Sequence, residues 1–258
     1  MLKQKKIHCE LEEIPSMEKR IATALRNQGI NSGEQLLELS LDDPLFKKFY
    51  PLRLIANYAK AIIYNKIVTI EDIISPFDTI KEKEEIYFFD TEHDSTLAKT
   101  GPYGVFLIGW MSMDGERNYL FLENPEDELE LLKKFSDWVK RENPILIAYS
   151  SDTAEVKALG ASFSRHKLPF SHIRESMFDI YSNVIFTQSV KRQKYFLPIK
   201  KLGSNPLGLK KVSECLGYQP STLEISHGMN APRVYERYLR EGHKKVYIAQ
   251  MHLMDKLP

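Results

Sequence analysis

The sequence predicts a chain of two parts: a small all-helical segment, then an α/β domain whose mixed sheet is flanked by helices. Three observations carry that expectation. Residues 11 to 75 place apolar side chains at helical spacing, with no strand pattern among them. From residue 86 the pattern changes to short apolar runs separated by turn signals. One of those runs, Ile86-Tyr-Phe-Phe-Asp90-Thr-Glu92, passes straight into two carboxylates spaced two apart.

In the first part Leu11, Ile14, Met17, Ile21, Ala24 and Leu25 recur at helical spacing, Gly29 ends the segment, and Leu36, Leu37 and Leu39 open a second apolar face. Pro51 precedes a third helix over Leu52 to Tyr64. Ser75-Pro76 and the charge run from Lys81 to Glu85 read as a linker, which places a domain boundary near residue 80 and gives domains of 1–80 and 81–258. In the second part Ile86 to Phe89, Gly104 to Met111 and Asn118 to Leu122, the last after the turn signal Asp114-Gly115, predict a three-stranded meander. An amphipathic helix over Glu126 to Arg141 follows, with Leu129, Leu132, Phe135, Trp138 and Val139 inward, and then a buried strand from Pro144 to Tyr149. Helices are expected over Thr153 to His166, Met177 to Thr187, Leu207 to Leu216, and from Arg233 onward.

The 258 residues and 43% hydrophobic content suffice for real cores. Lys+Arg 36 against Asp+Glu 35 leaves a net charge of +1, so the total demands no polyanionic partner, and local clusters must carry that argument. Cys9 and Cys215 match no zinc spacing and imply no disulfide framework, which predicts a reduced intracellular protein. The first ten residues lack the apolar core of a signal peptide, and no run reaches the roughly 20 apolar residues that span a bilayer. The expectation is a soluble cytoplasmic protein with no membrane partner.

Side chains alternate along a strand, so Asp90 and Glu92 share one face. Two carboxylates converging at a strand end can seat a hard cation such as Mg²⁺ or Mn²⁺; a solvated strand exit has the same letters. After the strand ending at Tyr149, Asp152 and Glu155 fall in a first helical turn, where a third ligand would sit and where capping also favours acids. Asp179, between Phe178 and Ile180, is expected to be at least partly buried and in need of a partner, as a ligand or as a helix cap. His252 and Asp255 lie three apart on one helical face, a pairing that suits a carboxylate ligand beside a general base.

The ordered set resembles the DEDD group of RNase H-like 3′-to-5′ exonucleases, and most closely the branch attached to RecB-like nuclease domains. The resemblance covers residues 86 to 258. Asp90 and Glu92 match the family's first motif, Phe106-Leu-Ile-Gly109 its second strand, Ile147 to Glu155 its second motif, Asp179 the acid opening the next helix, Leu207 to Gly217 its Ser-Leu-Lys helix, and Asp255 its closing acid. Ser150 and Glu155 stand where the group often has Asn and Asp, which leaves Asp152 a rival ligand. Gln250 and Met251 stand where the classical branches carry a His or Tyr base, which leaves His252 or a metal-bound hydroxide as the substitute. The resemblance implies that Asp90, Glu92, Asp179 and Asp255 hold one or two Mg²⁺ or Mn²⁺ ions, with Glu155 completing the shell, for hydrolysis of single-stranded DNA or RNA. It also implies a RecB-like nuclease or another protein as partner. The alternative is a nucleic-acid-binding or assembly module that kept the fold and lost the chemistry.

Residues 11 to 65 resemble helix-hairpin-helix segments, which bind phosphate through backbone N–H groups of a Gly-rich turn. Here Ser16-Met17-Glu18 replaces that turn and Glu18 repels phosphate, so scaffolding or protein docking is expected instead. Lys191, Arg192, Lys194, Tyr195, Lys200, Lys201 and Lys210 form an aromatic-interleaved basic stretch that reads as a single-strand track or as a solvated loop.

Overall fold

A computed structural model describes residues 6–40, 42–80, 85–94, 97, 101, 103–150, 155–186, 192–201, 208–217 and 231–242. The chain divides into two compact units, one comprising Met1–Pro76 and Tyr181–Gln219, the other Phe77–Ile180 and Pro220–Pro258.

The first unit is helical. A 3₁₀ turn at Leu11–Glu13 leads through Ser16, which adopts a left-handed φ of 65°, into α1 (Lys19–Arg26). Then come α2 (Gly33–Leu37), α3 (Pro44–Lys48) and α4 (Leu52–Tyr64). Ser32 caps α2 by accepting from the Gln35 N–H, and Asp43 caps α3 by accepting from the Leu45 N–H, satisfying donors that a helix start leaves free. The apolar stripes of these helices close a core around Leu11, Ile21, Leu25, Leu52, Ile55 and Tyr58.

Sequence periodicity expects no strand before residue 86, but β1 (Val68–Thr69) is a short strand in this unit. It pairs antiparallel with β7 (Tyr195–Phe196), whose Phe196 packs edge-on to Tyr58 at 4.9 Å. Gln193, fully buried, donates to the carbonyls of Ile185 and Tyr195 at 2.8 and 2.6 Å. A pairing as distant as Val68 with Phe196 leaves no local signature in so short a run, which is why the pattern of 11 to 75 conceals it. Helix α8 (Leu209–Cys215) lies in the same unit, within the span expected to be helical.

The second unit is the predicted mixed α/β layer. Strands β2 (Ile86–His93), β3 (Val105–Ser112) and β4 (Arg117–Phe121) form the expected antiparallel meander, turned at Gly115 with φ 91°. β5 (Ile145–Ala148) joins parallel to β2, and β6 (Met177–Asp179) parallel to β5, giving the order β4-β3-β2-β5-β6. Helix α5 (Glu128–Glu142) covers one face, with Phe135 stacked on Phe89 at 5.6 Å and Trp138 on Trp110 at 4.4 Å. α6 (Glu155–Arg165) and α7 (Ser171–Ser176) connect β5 to β6, and α9 (Ala231–Glu241) packs against β2.

Two expectations are corrected here. Residues 177 to 179 are a strand rather than the start of a helix, followed by a π-helical turn at Tyr181–Ile185. The apolar Met177-Phe178 pair beside the buried strand β5 gains more as the edge strand of the sheet than as a helix turn, and three residues are too few for periodicity to separate the two. The inward stripe of α5 is Glu128, Leu131, Leu132, Phe135 and Val139, with Leu129 and Trp138 on its flank. Glu128 follows the spacing i, i+3, i+4, i+7 and i+11 of that stripe.

Glu128 is completely buried. Its Oε1 accepts from the N–H groups of Gly104 and Val105 at 2.6 and 3.0 Å; its Oε2 meets the Arg165 guanidinium and lies 2.8 Å from His166 Nε2. One carboxylate thus ties the start of β3 to the end of α6. Burial alone would raise its pKa, but the Val105 N–H, Arg165, His166 and the Gly104 N–H outweigh that and hold it below the usual carboxylate range.

No helix among the described residues is long and apolar enough to cross a membrane.

Candidate active site

Ile86 to Phe89 favour a pleated, buried strand, and β2 is clamped on both sides by β3 and β5, so the extended backbone continues through the polar tail to His93. Asp90 and Glu92 are therefore inside the strand, two and four residues beyond the register pair Phe88↔Ile147 and opposite Gly109 and Leu107 of β3. Alternation places both on the face away from Phe89 and Thr91. Glu92 is buried at 8% exposure and Asp90 is half-buried.

β5 ends at Ala148, Ser150 takes a left-handed φ of 59°, and α6 opens with Glu155, again buried. This turn returns the chain to the end of the sheet at which β2 presents its acids. Asp179 ends β6 beside Ala148, is buried, and accepts from the Ser150 N–H at 2.6 Å. That bond fixes the β5–α6 turn and answers the expectation that a buried Asp179 needs a partner.

Asp90, Glu92 and Glu155 lie within electrostatic reach of one another, and Asp179 lies within reach of Glu155. Burial, and then repulsion from Asp90 and Glu155, pushes Glu92 well above the usual range. Burial also raises Asp90 despite the Thr91 N–H that it accepts. Glu155 is pushed up to about 7 by burial, by Asp90 and by Asp179, and its Oε2 is buried with no hydrogen-bond partner among the described residues. Among the described residues no cation contributes to the shifts of Asp90, Glu92 or Glu155. All the donors are hard oxygens, which fits Mg²⁺ or Mn²⁺. Among the described residues, however, no three His, Cys, Asp or Glu side chains converge closely enough to form a metal site by themselves. The geometry is that of a charged, partial donor set rather than a closed cage.

A pH dependence follows. Glu155 titrates near 7 in the folded chain against an ordinary 4.5, so the folded state holds its proton where the unfolded state has lost it. Stability from this group is full below about 4.5 and is lost as pH rises through 7. In metal-free protein the unfolding midpoint is expected to fall between pH 5 and pH 8, and Glu155→Gln to flatten that fall; an unchanged slope in the variant, read by calorimetry, would contradict the assignment.

His252 and Asp255 lie outside the described residues, as do Asp152 and Lys191. The remaining basic-stretch residues belong to the helical unit. Lys194 Nζ is held by the carbonyl of Ile73, Lys200 Nζ binds the His8 carbonyl at 2.8 Å and Glu13 Oε2 at 2.6 Å, and Tyr195 OH meets Ser75 Oγ at 3.1 Å. Arg192, Lys201 and Lys210 are exposed. His93, which directly follows the acid pair, is a further polar residue of this region that no sequence motif above includes. It stands at an irregularity where β3 carries one extra residue, burial lowers its pKa, and its Nδ1 has no partner among the described residues. Adjacency to Asp-x-Glu was the available signal.

The model of the RNase_H superfamily matches residues 87–253, more than half of the chain, and the protein belongs to that superfamily. Its fold generally hydrolyses phosphodiester bonds, and membership supports a nuclease-type function acting on nucleic acid. Among solved structures the chain is similar to the family B DNA polymerase from the hyperthermophilic archaeon Pyrobaculum calidifontis, with 18% identity and a TM-score of 0.46. The match covers 66% of this chain and 23% of the polymerase, so the chain spans less than a quarter of that protein. No curated protein matches the sequence.

Proposed function

We propose that the chain is a metal-dependent nuclease of the DEDD type that hydrolyses phosphodiester bonds of single-stranded DNA or RNA from the 3′ end, working in the cytoplasm. The observation that carries this reading is the buried, mutually repelling group of Asp90, Glu92 and Glu155, to whose shifts no described cation contributes. In a superfamily that generally cleaves phosphodiesters, such a group is more economically explained by a divalent cation than by packing. Buried uncompensated acids only destabilise a fold.

In this reading Asp90, Glu92, Asp179 and Asp255 hold Mg²⁺ or Mn²⁺, and Glu155 completes or orients the donor set. A divalent cation held there supplies positive charge against the oxygens of the reacting phosphate. Asp90 and Glu92, held by the pairing of β2 with Gly109 and Leu107 of β3, set the position of the phosphate relative to the sheet end. Asp179 keeps the β5–α6 turn in place through the Ser150 N–H, so that Glu155 faces the same region. His252 takes the proton of the attacking water, an imidazole being suited to that role near neutral pH. Residues 81–258 form the nuclease domain, and residues 1–80 a helix-hairpin-helix-like domain used for scaffolding or docking a protein such as a RecB-like nuclease. Consistent with that, Glu18 at the start of α1 is exposed and paired with Arg20 at 2.6 Å, a poor setting for phosphate.

The second reading, a binding or assembly module without chemistry, is favoured by one observation: the described acids do not themselves gather into a metal site. Calorimetric titration with Mn²⁺ alongside degradation of end-labelled single-stranded DNA and RNA separates the two. Specific Mn²⁺ binding with Mn²⁺-dependent degradation is the expected result. Absence of both would leave the module.

A further inference from the structure

The basic stretch between 191 and 211 lies in the helical unit, and two of its ammonium groups are engaged by protein oxygens. The unit that carries the acids has a different exposed cationic feature. Helix α9 buries Ala231, Val234, Tyr235 and Tyr238 and leaves Arg233, Arg237 and Arg240 exposed. At 100° per residue these three arginines fall within one narrow stripe on the side of the helix opposite its buried face.

The buried side of α9 anchors that stripe firmly. Tyr235 stacks on Phe106 at 4.5 Å with rings 5° apart, packs edge-on to Phe121 at 5.7 Å, and donates to the Leu122 carbonyl at 2.8 Å. Tyr238 meets Phe121 at 5.1 Å. The helix also packs on β2, the strand of Asp90 and Glu92. The arginines are thus carried by a rigid element next to the acid-bearing strand. Arg240 makes a long contact with Glu241 at 3.7 Å. The axial separations of the arginines, about 6 Å and about 4.5 Å, suit successive charges along an extended polyanion.

We propose that the Arg233–Arg237–Arg240 ridge of α9 binds the phosphodiester backbone of a single nucleic-acid strand on the outer face of the unit that carries the acids. This deepens the nuclease reading and rests on it for the direction of the strand, but not for binding itself. Guanidinium groups bind phosphate through paired N–H donors, so the ridge fixes position without reading base sequence. Glu236 and Glu241 flank it and confine the anion to the stripe.

Fluorescence anisotropy with a labelled 12-nucleotide oligodeoxynucleotide and its RNA counterpart, in EDTA over a salt series, tests the ridge. The triple variant Arg233→Ala, Arg237→Ala, Arg240→Ala is compared with Lys133→Ala, Lys140→Ala, Arg141→Ala, which removes the same charge from exposed positions of α5. The ridge triple is expected to lose about tenfold or more in affinity and about 2 from the slope of log K against log salt, at roughly 0.7 per phosphate contact. The α5 triple should lose less than half as much, with both unfolding midpoints near wild type. Equal losses in the two triples, no binding by wild type, or a ridge triple impaired only on phosphatidylserine vesicles would overturn the proposal. Hydrolysis of the p-nitrophenyl ester of thymidine 5′-monophosphate, too small to reach the ridge, is scored separately. Ridge-dependent binding without hydrolysis of ester or oligonucleotide would sink the nuclease reading and leave the ridge standing.

Discussion

Asp90→Asn is expected to lower Mn²⁺-dependent cleavage by at least about 10²–10³-fold, the usual scale for losing one electrostatic contact to the reacting group. In metal-free solution at pH 8, it is also expected to raise the unfolding midpoint. The second half follows from the repulsion. Asp90 raises the pKa of both Glu92 and Glu155, so removing its charge relieves both while leaving β2 paired on either side. For Glu155 alone the displacement from 4.5 to about 7 corresponds to a cost on the order of 3 kcal/mol at high pH, of which Asp90 supplies a part second to burial. A variant that is more stable and less active is the signature of acids kept for function. If Asp90 only filled a strand, its loss would be neutral or destabilising and activity would survive.

Glu128→Ala is expected to have the opposite character, destabilising the unit by about 3–5 kcal/mol without any direct effect on chemistry. The substitution leaves the N–H groups of Gly104 and Val105, the Arg165 guanidinium and His166 facing a buried void. For a chain of this size that is a fall in unfolding midpoint of roughly 10 °C or more. The pH dependence is reversed relative to Glu155. The Glu128 carboxyl is held below its ordinary 4.5, so its contribution is present above that value and is lost as the pH falls through the lowered one. Thermal scans from pH 3 to pH 8 on wild type and Glu128→Ala read both effects. A midpoint in the variant within 2 °C of wild type throughout would refute the role given to this carboxylate.

These two glutamates also mark how far the sequence could be read. The Asp-x-Glu after four apolar residues was legible because strand alternation is local, and β2 to β5 and α4 to α5 followed from periods of two and 3.6. Glu155 was legible as a first-turn acid after a core strand. Sequence periodicity does not single out Glu128: it expects the inward stripe of α5 to run through Leu129, whereas the structure runs it through Glu128 and Leu131. The helix expected over 177 to 187 proved to begin as β6, since three residues beside β5 take their conformation from pairing rather than from their own pattern. β1 and β7 pair Val68 with Phe196 and Thr69 with Tyr195, and no window of local sequence reports that. Likewise the basic stretch was visible as composition, but not the carbonyls and carboxylate that engage Lys194 and Lys200. The arginine stripe of α9 was visible as a period and became informative only when Tyr235 and Tyr238 fixed which side of the helix is covered.

The central claim is that the buried acids at the end of β2 and the start of α6 exist to hold a divalent cation. Anomalous diffraction from crystals soaked in Mn²⁺ at pH 8 tests it most directly. A peak within coordination distance of the Asp90, Glu92 and Glu155 carboxylates, lost in Asp90→Asn, is the predicted result. No peak there in crystals that bind Mn²⁺ elsewhere, or a peak that persists in the variant, would contradict it.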